Sequence, residues 1–271
     1  MLWTATDDFD LALIQESGQC FRISEGPRGT FRILSADRCL LARRLAGSTF
    51  DLSCDEDEFR TYWYDYFDLG LDYRAVRAMI DPDRDRYLFS ASQAWAGIRI
   101  LAQDPFETLV SFIISQNRNI PAIRNSIELL AKAAGELKVD ADGKPFHAFP
   151  SPEAIAALDE ETLGTLKLGY RAPYVRAAAE AVSQGTLDLA SLVTADERRT
   201  QGELTKLFGV GPKVCACVSL FGLHHLDSFP VDVWVRRVLE REYPQGFPFE
   251  RYAPYNGIFQ QYLFCAVRFE G

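Results

Sequence analysis

No two of the six cysteines (Cys20, Cys39, Cys54, Cys215, Cys217 and Cys265) stand at C-x2-C spacing, and no cysteine cluster marks the C-terminal part. The chain therefore offers no thiolate set for a structural zinc or an iron–sulfur centre. Cys215 and Cys217 are two apart and would point to different faces of a helix. Buried free thiols are expected, because a disulfide framework does not suit a reducing compartment. A long apolar run is also missing: "TLVSFIIS" is too short to span a membrane. The opening "MLWTATDDFD" is acidic, with no basic segment before an apolar one, so a cytoplasmic protein without a secretory signal is expected. Positive charge is in deficit, with 29 Lys and Arg against 38 Asp and Glu and a net charge of −9. The surface as a whole does not attract polyanions, and nucleic-acid binding would need a local basic face. Lys206, Arg236 and Arg237 are candidates for that face, and such binding falls with salt. There is no internal repeat and no low-complexity tract.

What is present divides in two. The chain is long enough, at 271 residues, for one large domain or two modest ones. Short β-branched or aromatic runs fill its first part: "GQCFRI", "TFRIL", "CLLARRL" and "TFDLSC". They are separated by "SEGPRG", "SADR" and "AGS", which is turn chemistry. We read an antiparallel β domain with flanking helices over residues 1–103. The helical readings there are "DEDEFRTYWYDYFDL", "YRAVRAMI" and "RYLFSASQAWAGIRIL". Helix starts dominate from Asp104 onward. "DPFE" places Asp at the N-cap, Pro at the first position and Glu at the third. "QNRN" breaks the helix, and "IPAIRNSIELLAKAAG" resumes it up to Gly135. Ser151 with Pro152, and "APYVRAAAEAV", repeat the pattern. Little after Asp104 reads as strand, so residues 104–271 form a helical domain. The fold class is α+β.

The segment "LFGVGPKVCACVSLFGLHHLDSFPVDVW" carries the chemistry. Gly209 and Gly211 can adopt backbone angles closed to other residues, and Pro212 fits the first position of a helix. Free N–H groups at such a turn suit a phosphate and position a nucleic-acid backbone without reading sequence. An ordinary helical connection would also explain the turn. Lys213 stands in the first turn of the second helix, where the dipole disfavours a cation. In a desolvated site this helps to supply a neutral amine, which is a nucleophile toward carbon electrophiles. A solvated lysine, or one touching phosphate, is the bland reading. Asp232 is a good N-cap. Beside a nucleophilic lysine its carboxylate would also stabilise positive charge developing on a sugar.

This segment resembles the helix-hairpin-helix, Gly-Pro-Asp DNA glycosylases, and among them the 8-oxoguanine DNA glycosylases of bacterial type. "SGQCFR", "QDPFETLVSFIISQNRNI", "LKLGYRAPYV" and "YNGIFQQYLF" resemble family segments in the same order, so the likeness covers essentially the whole chain. It implies an N-terminal antiparallel β domain packed on a helical catalytic domain. It implies a bifunctional glycosylase and lyase of base excision repair that takes the damaged base out of the duplex. Lys213 would attack the sugar C1′, form a Schiff base and allow β-elimination, with Asp232 stabilising the oxocarbenium-like transition state. Gly18 would supply the carbonyl that accepts the N7 hydrogen of 8-oxoguanine, which guanine lacks. Gln260 would read the Watson–Crick edge, with Phe264 and Cys217 sandwiching the ring. Asn117 would fill the space left by the flipped base, Tyr170 prop open the opposite strand, and Arg171 read the estranged cytosine. Gly209, Val210 and Gly211 would hold phosphate. The partner implied is duplex DNA containing 8-oxoguanine, met by a monomer at the nucleoid, away from membranes. No cofactor is required. A structural cation held by hairpin carbonyls fits the class, although no side-chain ligand set marks one.

Two alternatives stay open on sequence. One is a related glycosylase for another lesion. Endonuclease-III-like members carry a C-terminal four-cysteine cluster, absent here, and alkyl-purine members lack the lysine, present here. The other is a non-catalytic DNA-binding module. Two positions depart from the animal-type pattern. Ala122 stands where a second cytosine-reading arginine is expected, with Arg124 nearby but out of register, and Trp234 stands where a histidine often follows the aspartate. The first departure predicts a weaker preference for cytosine opposite the lesion than two arginines would give. Excision rates opposite the four bases check this: comparable rates agree with it, and strict cytosine dependence refutes it.

Overall fold

The computed structural model describes residues 1–269. Strands β1 (Leu2–Thr4), β2 (Ile23–Glu25), β3 (Thr30–Ser35), β4 (Arg38–Ala46) and β5 (Thr49–Leu52) form an antiparallel sheet in the order β1-β5-β4-β3-β2. Phe31 pairs with Ala42, Ile33 with Leu40 and Ala42 with Leu52. Side chains alternate with period two, so these residues share one face. That face packs on helix α1 (Leu11–Glu16) and on Trp63, Tyr66 and Phe67 of the aromatic helical stretch, closing the first core.

The second core is helical. It gathers α2 (Tyr73–Arg77), α3 (Arg86–Ala94), α4 (Pro105–Ser115), α5 (Ile120–Ala134), α6 (Ala172–Ser183), α7 (Glu197–Leu204), α8 (Pro212–Phe221), α9 (Val233–Glu242) and α10 (Asn256–Phe269). Tyr73, Val76, Ile80, Leu88 and Ile98 belong to it although they precede residue 104. The caps explain where several helices begin: Asp104 Oδ1 accepts from Glu107 N at 2.8 Å, and Asn119 Oδ1 from Ala122 N at 3.0 Å. Such caps satisfy amides that otherwise have no partner.

Three local readings differ from the structure. In "GQCFRI" only Ile23 enters a strand. Gln19 holds the remainder as an irregular turn: its Nε2 donates to Ser17 Oγ and Arg99 O, and its Oε1 accepts from Leu101 N at 2.7 Å. The helix read through "RYLFSASQAWAGIRIL" ends at Ala94. Gly97, at φ +114°, lets the chain pass so near Asp10 that a Cβ would lie 2.9 Å from the Asp10 Cβ. Within the helical part, β6 (Leu137–Val139) and β7 (Pro145–His147) form a hairpin that leans on the sheet. Arg32 pairs with Asp140 at 2.9 Å across that contact, and Phe149 N donates to Ala36 O at 2.7 Å.

Two buried arginines join the cores. Arg99, 1% exposed, donates to the carbonyls of Phe67, Asp8, Asp68 and Leu71, reaches Asp7 at 3.2 Å, and stacks on Tyr73. Arg22, 4% exposed, donates to Glu128 on α5 at 2.8 Å and to His147 O at 2.6 Å, with Glu107 of α4 at 4.0 Å. Burial pushes the Glu107 carboxyl up to about 7, against the pull of Arg22. A raised carboxyl pKa means that stability declines as pH climbs from the ordinary carboxylate range through that value. Arg22→Ala leaves Glu107 without its cation, and breaking such a pair costs about 3–5 kcal/mol. Urea unfolding should show the larger loss at about pH 8, and a smaller one at about pH 5 where Glu107 holds its proton.

Candidate active site

The hairpin between α7 and α8 is set by one close approach. Gly209 has φ +85°, and a Cβ there would lie 2.2 Å from Tyr174 Cγ on α6. Glycine alone tolerates both conditions. The turn is closed by Val210 N donating to Leu207 O at 3.1 Å, and the Val210 side chain is buried. Val210 therefore contributes packing, not a free amide. Among the described residues, the Gly209 and Gly211 amides have no main-chain acceptor and are open to an anion. The hairpin is also tied to the α4–α5 loop, since Gln116 Nε2 donates to Gly209 O at 3.0 Å.

Pro212 starts α8 and places Lys213 in its first turn. Lys213 is half-buried, with Nζ 5.0 Å from the centroid of the Phe112 ring. The Cys217 sulfur lies one helical turn on, near enough to feel the lysine's charge. Burial raises the Cys217 thiol above its ordinary value despite that lysine, so the thiol stays protonated and packs as a small apolar group. Asp232 caps α9, accepting at Oδ1 from Trp234 N and Val235 N, each at 2.9 Å. Those two amides hold the carboxylate's orientation.

Lys213, Asp232, Gly18, Cys217, Gln260 and Phe264 line a single cavity of about 50 Å³. Gln260 is buried, donates to Pro230 O at 2.9 Å and accepts from Gln261 at 3.0 Å. Gly18, at φ +73°, lies against Phe264, and among the described residues its carbonyl accepts no hydrogen bond. The cavity adjoins a cleft of about 760 Å³ that shares Gly18, Phe112, Lys213, Asp232 and Phe264 with it. About 50 Å³ holds a few waters. Ligand sites begin at about 300 Å³, so this cavity by itself is small for a ring-sized ligand.

The α4–α5 loop lines the open cleft with Gln116, Asn117, Arg118 and Asn119. Asn117 is exposed, has φ +52°, and donates to Tyr170 Oη at 3.0 Å. Tyr170 is half exposed and packs edge-on against Tyr174, which does the same against the exposed Phe208. Arg171 departs from the expectation of a base reader, being 7% exposed. Its Nε donates to Gln116 O at 2.8 Å and its Nη1 to Leu168 O at 3.2 Å, while Nη2 serves Gln116 O and Asn117 O. The expected basic patch is uneven. Lys206 is paired with Glu203 at 2.8 Å, whereas Arg236 is exposed and Arg237 stacks on Trp234 at 4.8 Å. Sequence reasoning passed over Arg118, Phe112 and Arg268, all of which line the cleft. Arg118 stands inside the quoted loop, next to Asn117, and that adjacency was the available signal.

Comparison with known proteins agrees with this geometry. Residues 1–109 match the model of the 8-oxoguanine DNA glycosylase N-terminal domain, and residues 110–245 match the HhH-GPD superfamily base excision DNA repair protein. The chain belongs to the HhH-GPD superfamily of base excision DNA repair proteins. Within it, a Clostridium acetobutylicum 8-oxoguanine glycosylase/lyase, solved with duplex DNA containing cytosine opposite 8-oxoG, superposes with a TM-score of 0.89 at 31% identity. That likeness covers 99% of this chain and 97% of the other. MBOgg1, solved with a low-affinity DNA ligand, has a TM-score of 0.92 at 37% identity, covering 98% and 94%. The N-glycosylase/DNA lyase of Saccharomyces cerevisiae is 34% identical over 70% of this chain, which spans 53% of the yeast protein.

The hairpin gives a direct test. Gly209→Ala forces a Cβ into the Tyr174 ring at a left-handed φ, a strain of about 1–3 kcal/mol. Fluorescence anisotropy with an undamaged duplex should show weaker binding, and Tyr174→Ala in the same chain should recover part of it.

Proposed function

We propose that this chain is a bifunctional DNA glycosylase and abasic-site lyase that removes 8-oxoguanine from duplex DNA in base excision repair. The observation that carries it is the meeting of Lys213 and Asp232 with Gly18, Gln260, Phe264 and Cys217 around one small cavity at the floor of a wide cleft. A hairpin that only held phosphate would need none of these residues.

The duplex is held by the Gly209 and Gly211 amides on its backbone, and Asn117 enters the stack as the nucleotide leaves it. Phe264 shifts and the base slides between it and Cys217. The free Gly18 carbonyl accepts N7–H of 8-oxoguanine. Guanine has a lone pair at N7, so oxygen would face nitrogen with no proton between them. One unmade hydrogen bond of this kind is worth roughly 1–3 kcal/mol. Gln260 retains hydrogen-bonding capacity beyond its bonds to Pro230 and Gln261 for the Watson–Crick edge.

Lys213 gives up its proton and forms a bond from Nζ to C1′ as the bond from C1′ to N9 breaks. Asp232 offsets the positive charge on the sugar at that moment. Ring opening yields the protonated Schiff base. Loss of a C2′ proton then expels the 3′ phosphate and leaves an unsaturated Schiff base on the lysine, which water hydrolyses to the free amine and an unsaturated aldehyde. These steps need no cofactor. The carbonyls of Thr205, Lys206, Phe208 and Val210 accept no main-chain hydrogen bond among the described residues, which fits a cation bound there as a purely structural aid. We place the enzyme as a monomer on cytoplasmic DNA; among the described residues no helix is long and apolar enough to cross a membrane.

Borohydride trapping on an 8-oxoguanine duplex tests the reading. Wild type should give a covalent protein–DNA adduct, and Lys213→Gln should give none while still binding DNA. Asp232→Asn should slow base release by about 100-fold or more. An adduct that persists in Lys213→Gln, or cleavage at the wild-type rate, refutes the assignment.

A further inference from the structure

Two walls of the small cavity come from opposite ends of the chain, and one side chain touches both. Gly18 follows α1 in the N-terminal part, while Phe264 belongs to α10. Gln19 ties the Gly18 turn to Arg99 O and Leu101 N, on the side of the sheet domain. Arg268 holds it from the other side. It stands four residues after Phe264, on the same face of α10, and lines the same cleft.

Arg268 Nη1 donates to Glu16 O at 2.9 Å. Glu16 is the last residue of α1, so its carbonyl belongs to the set that finds no acceptor role inside the helix. A basic side chain is a natural partner for such a carbonyl. The same guanidinium lies 5.8 Å from the centroid of the Phe264 ring. A Cβ built on Gly18 would be 3.6 Å from Nη1 and 3.4 Å from the ring, so glycine, ring and guanidinium meet at one point. Arg268 is half-buried and has no acidic partner among the described residues. Its charge is therefore committed to a main-chain oxygen and an aromatic face, both belonging to the cavity walls.

Resting on the activity above, we propose that Arg268 is a positioning residue for base removal, holding the Gly18 turn and the Phe264 ring in register from the solvent side. The two halves of the reaction depend on those walls unequally. Base removal needs a ring gripped between them while Lys213 attacks. Nicking at an abasic site has no base to grip and needs only Lys213 and its neighbours on α8 and α9. The hydrogen bond to Glu16 O is charge-assisted but partly open to solvent, so its loss should slow base release about ten-fold, the low end for a bond to a charged group.

Two single-turnover assays with saturating enzyme test the proposal in wild type, Arg268→Ala and Arg268→Lys: base release from a duplex with 8-oxoguanine opposite cytosine, and nicking of an abasic-site duplex. Arg268→Ala should slow base release about ten-fold and leave nicking within about two-fold of wild type. The deficit should be the same at low and high salt, because it is one of geometry and not of attraction to phosphate. Arg268→Lys can still donate to Glu16 O and should fall between the two, with nicking again intact; it stands in if the alanine variant does not fold. The proposal is overturned if both reactions fall by one factor, if base release is unchanged or faster, if lysine does no better than alanine, or if the deficit vanishes at low salt. Wild type that nicks the abasic duplex and leaves 8-oxoguanine in place would refute the substrate reading, and this inference with it.

Discussion

The cavity beside Lys213 is built across two hydrophobic cores, and everything else depends on keeping those cores in one relation. Gly18 lies on the turn after α1, against the sheet domain, while Lys213, Cys217, Asp232, Gln260 and Phe264 come from α8, α9 and α10. A shift of an ångström between the bodies would part Gly18 from the Phe264 ring it lies against. Buried guanidinium groups resist that shift. Arg99 gathers carbonyls from two segments of the N-terminal part, at Asp8 and over residues 67–71, and Gln19 ties the Gly18 turn to Arg99 O. Arg22 carries the chain from that turn onto α4 and α5. From the other side, Arg268 of α10 donates to Glu16 O at 2.9 Å and lies over the Phe264 ring. Charges buried this way add little net stability, but they fix geometry because each has one set of partners.

A cavity held so firmly is nonetheless small, about 50 Å³. Phe264 rests on Gly18, where a Cβ would meet the ring at an ordinary 3.4 Å and the φ of +73° is what favours glycine. The aromatic ring covers apolar surface that would otherwise meet water. Under the proposed function, a base that entered would replace that contact with its own, so most of the apolar burial would be exchanged and little gained. The balance then falls to the hydrogen bonds, which is where one proton on N7 can decide between two bases of nearly equal shape. A wide, preformed slot would bind both through stacking and would discriminate less.

How much of this could be read from residues follows from whether the cause is local. Helix starts at Asp104, Ser151 and Asp232 were legible because an N-cap acts within three residues. The hairpin and its lysine were legible because glycine and proline restrict the chain at the point where they stand. The β6–β7 hairpin was not, because its strands are three residues long and lean on a sheet about a hundred positions earlier in the chain. "GQCFR" has the composition of a strand and is a turn, since its polar groups find partners at residues 99 to 103 rather than on a neighbouring strand. Arg171 shows the same limit at the site. Its position in a motif says nothing of whether its guanidinium faces a groove or the underside of a loop, and only the carbonyls of Gln116 and Leu168 settle that.

An enzyme with a net charge of −9 must still hold a polyanion. Most of its cations are spent: Arg43 on Asp51, Arg74 on Asp7, Arg176 on Glu160 and Lys206 on Glu203. Around the cleft the pattern changes, for Arg118 and Arg236 have no acidic partner among the described residues and Arg237 pairs only with an aromatic face. The same rim exposes Tyr170, Phe208, Val233 and Trp234. Affinity for phosphate by counterion release needs many cations. Affinity for a distorted helix needs apolar wedges that enter where bases unstack. This rim is poor in the first and rich in the second. Its surface favours DNA that is already easy to open, and a flipped nucleotide is such a place. An acidic exterior therefore disfavours idle binding along intact duplex while costing little at the lesion, where wedge, amides and pocket act together.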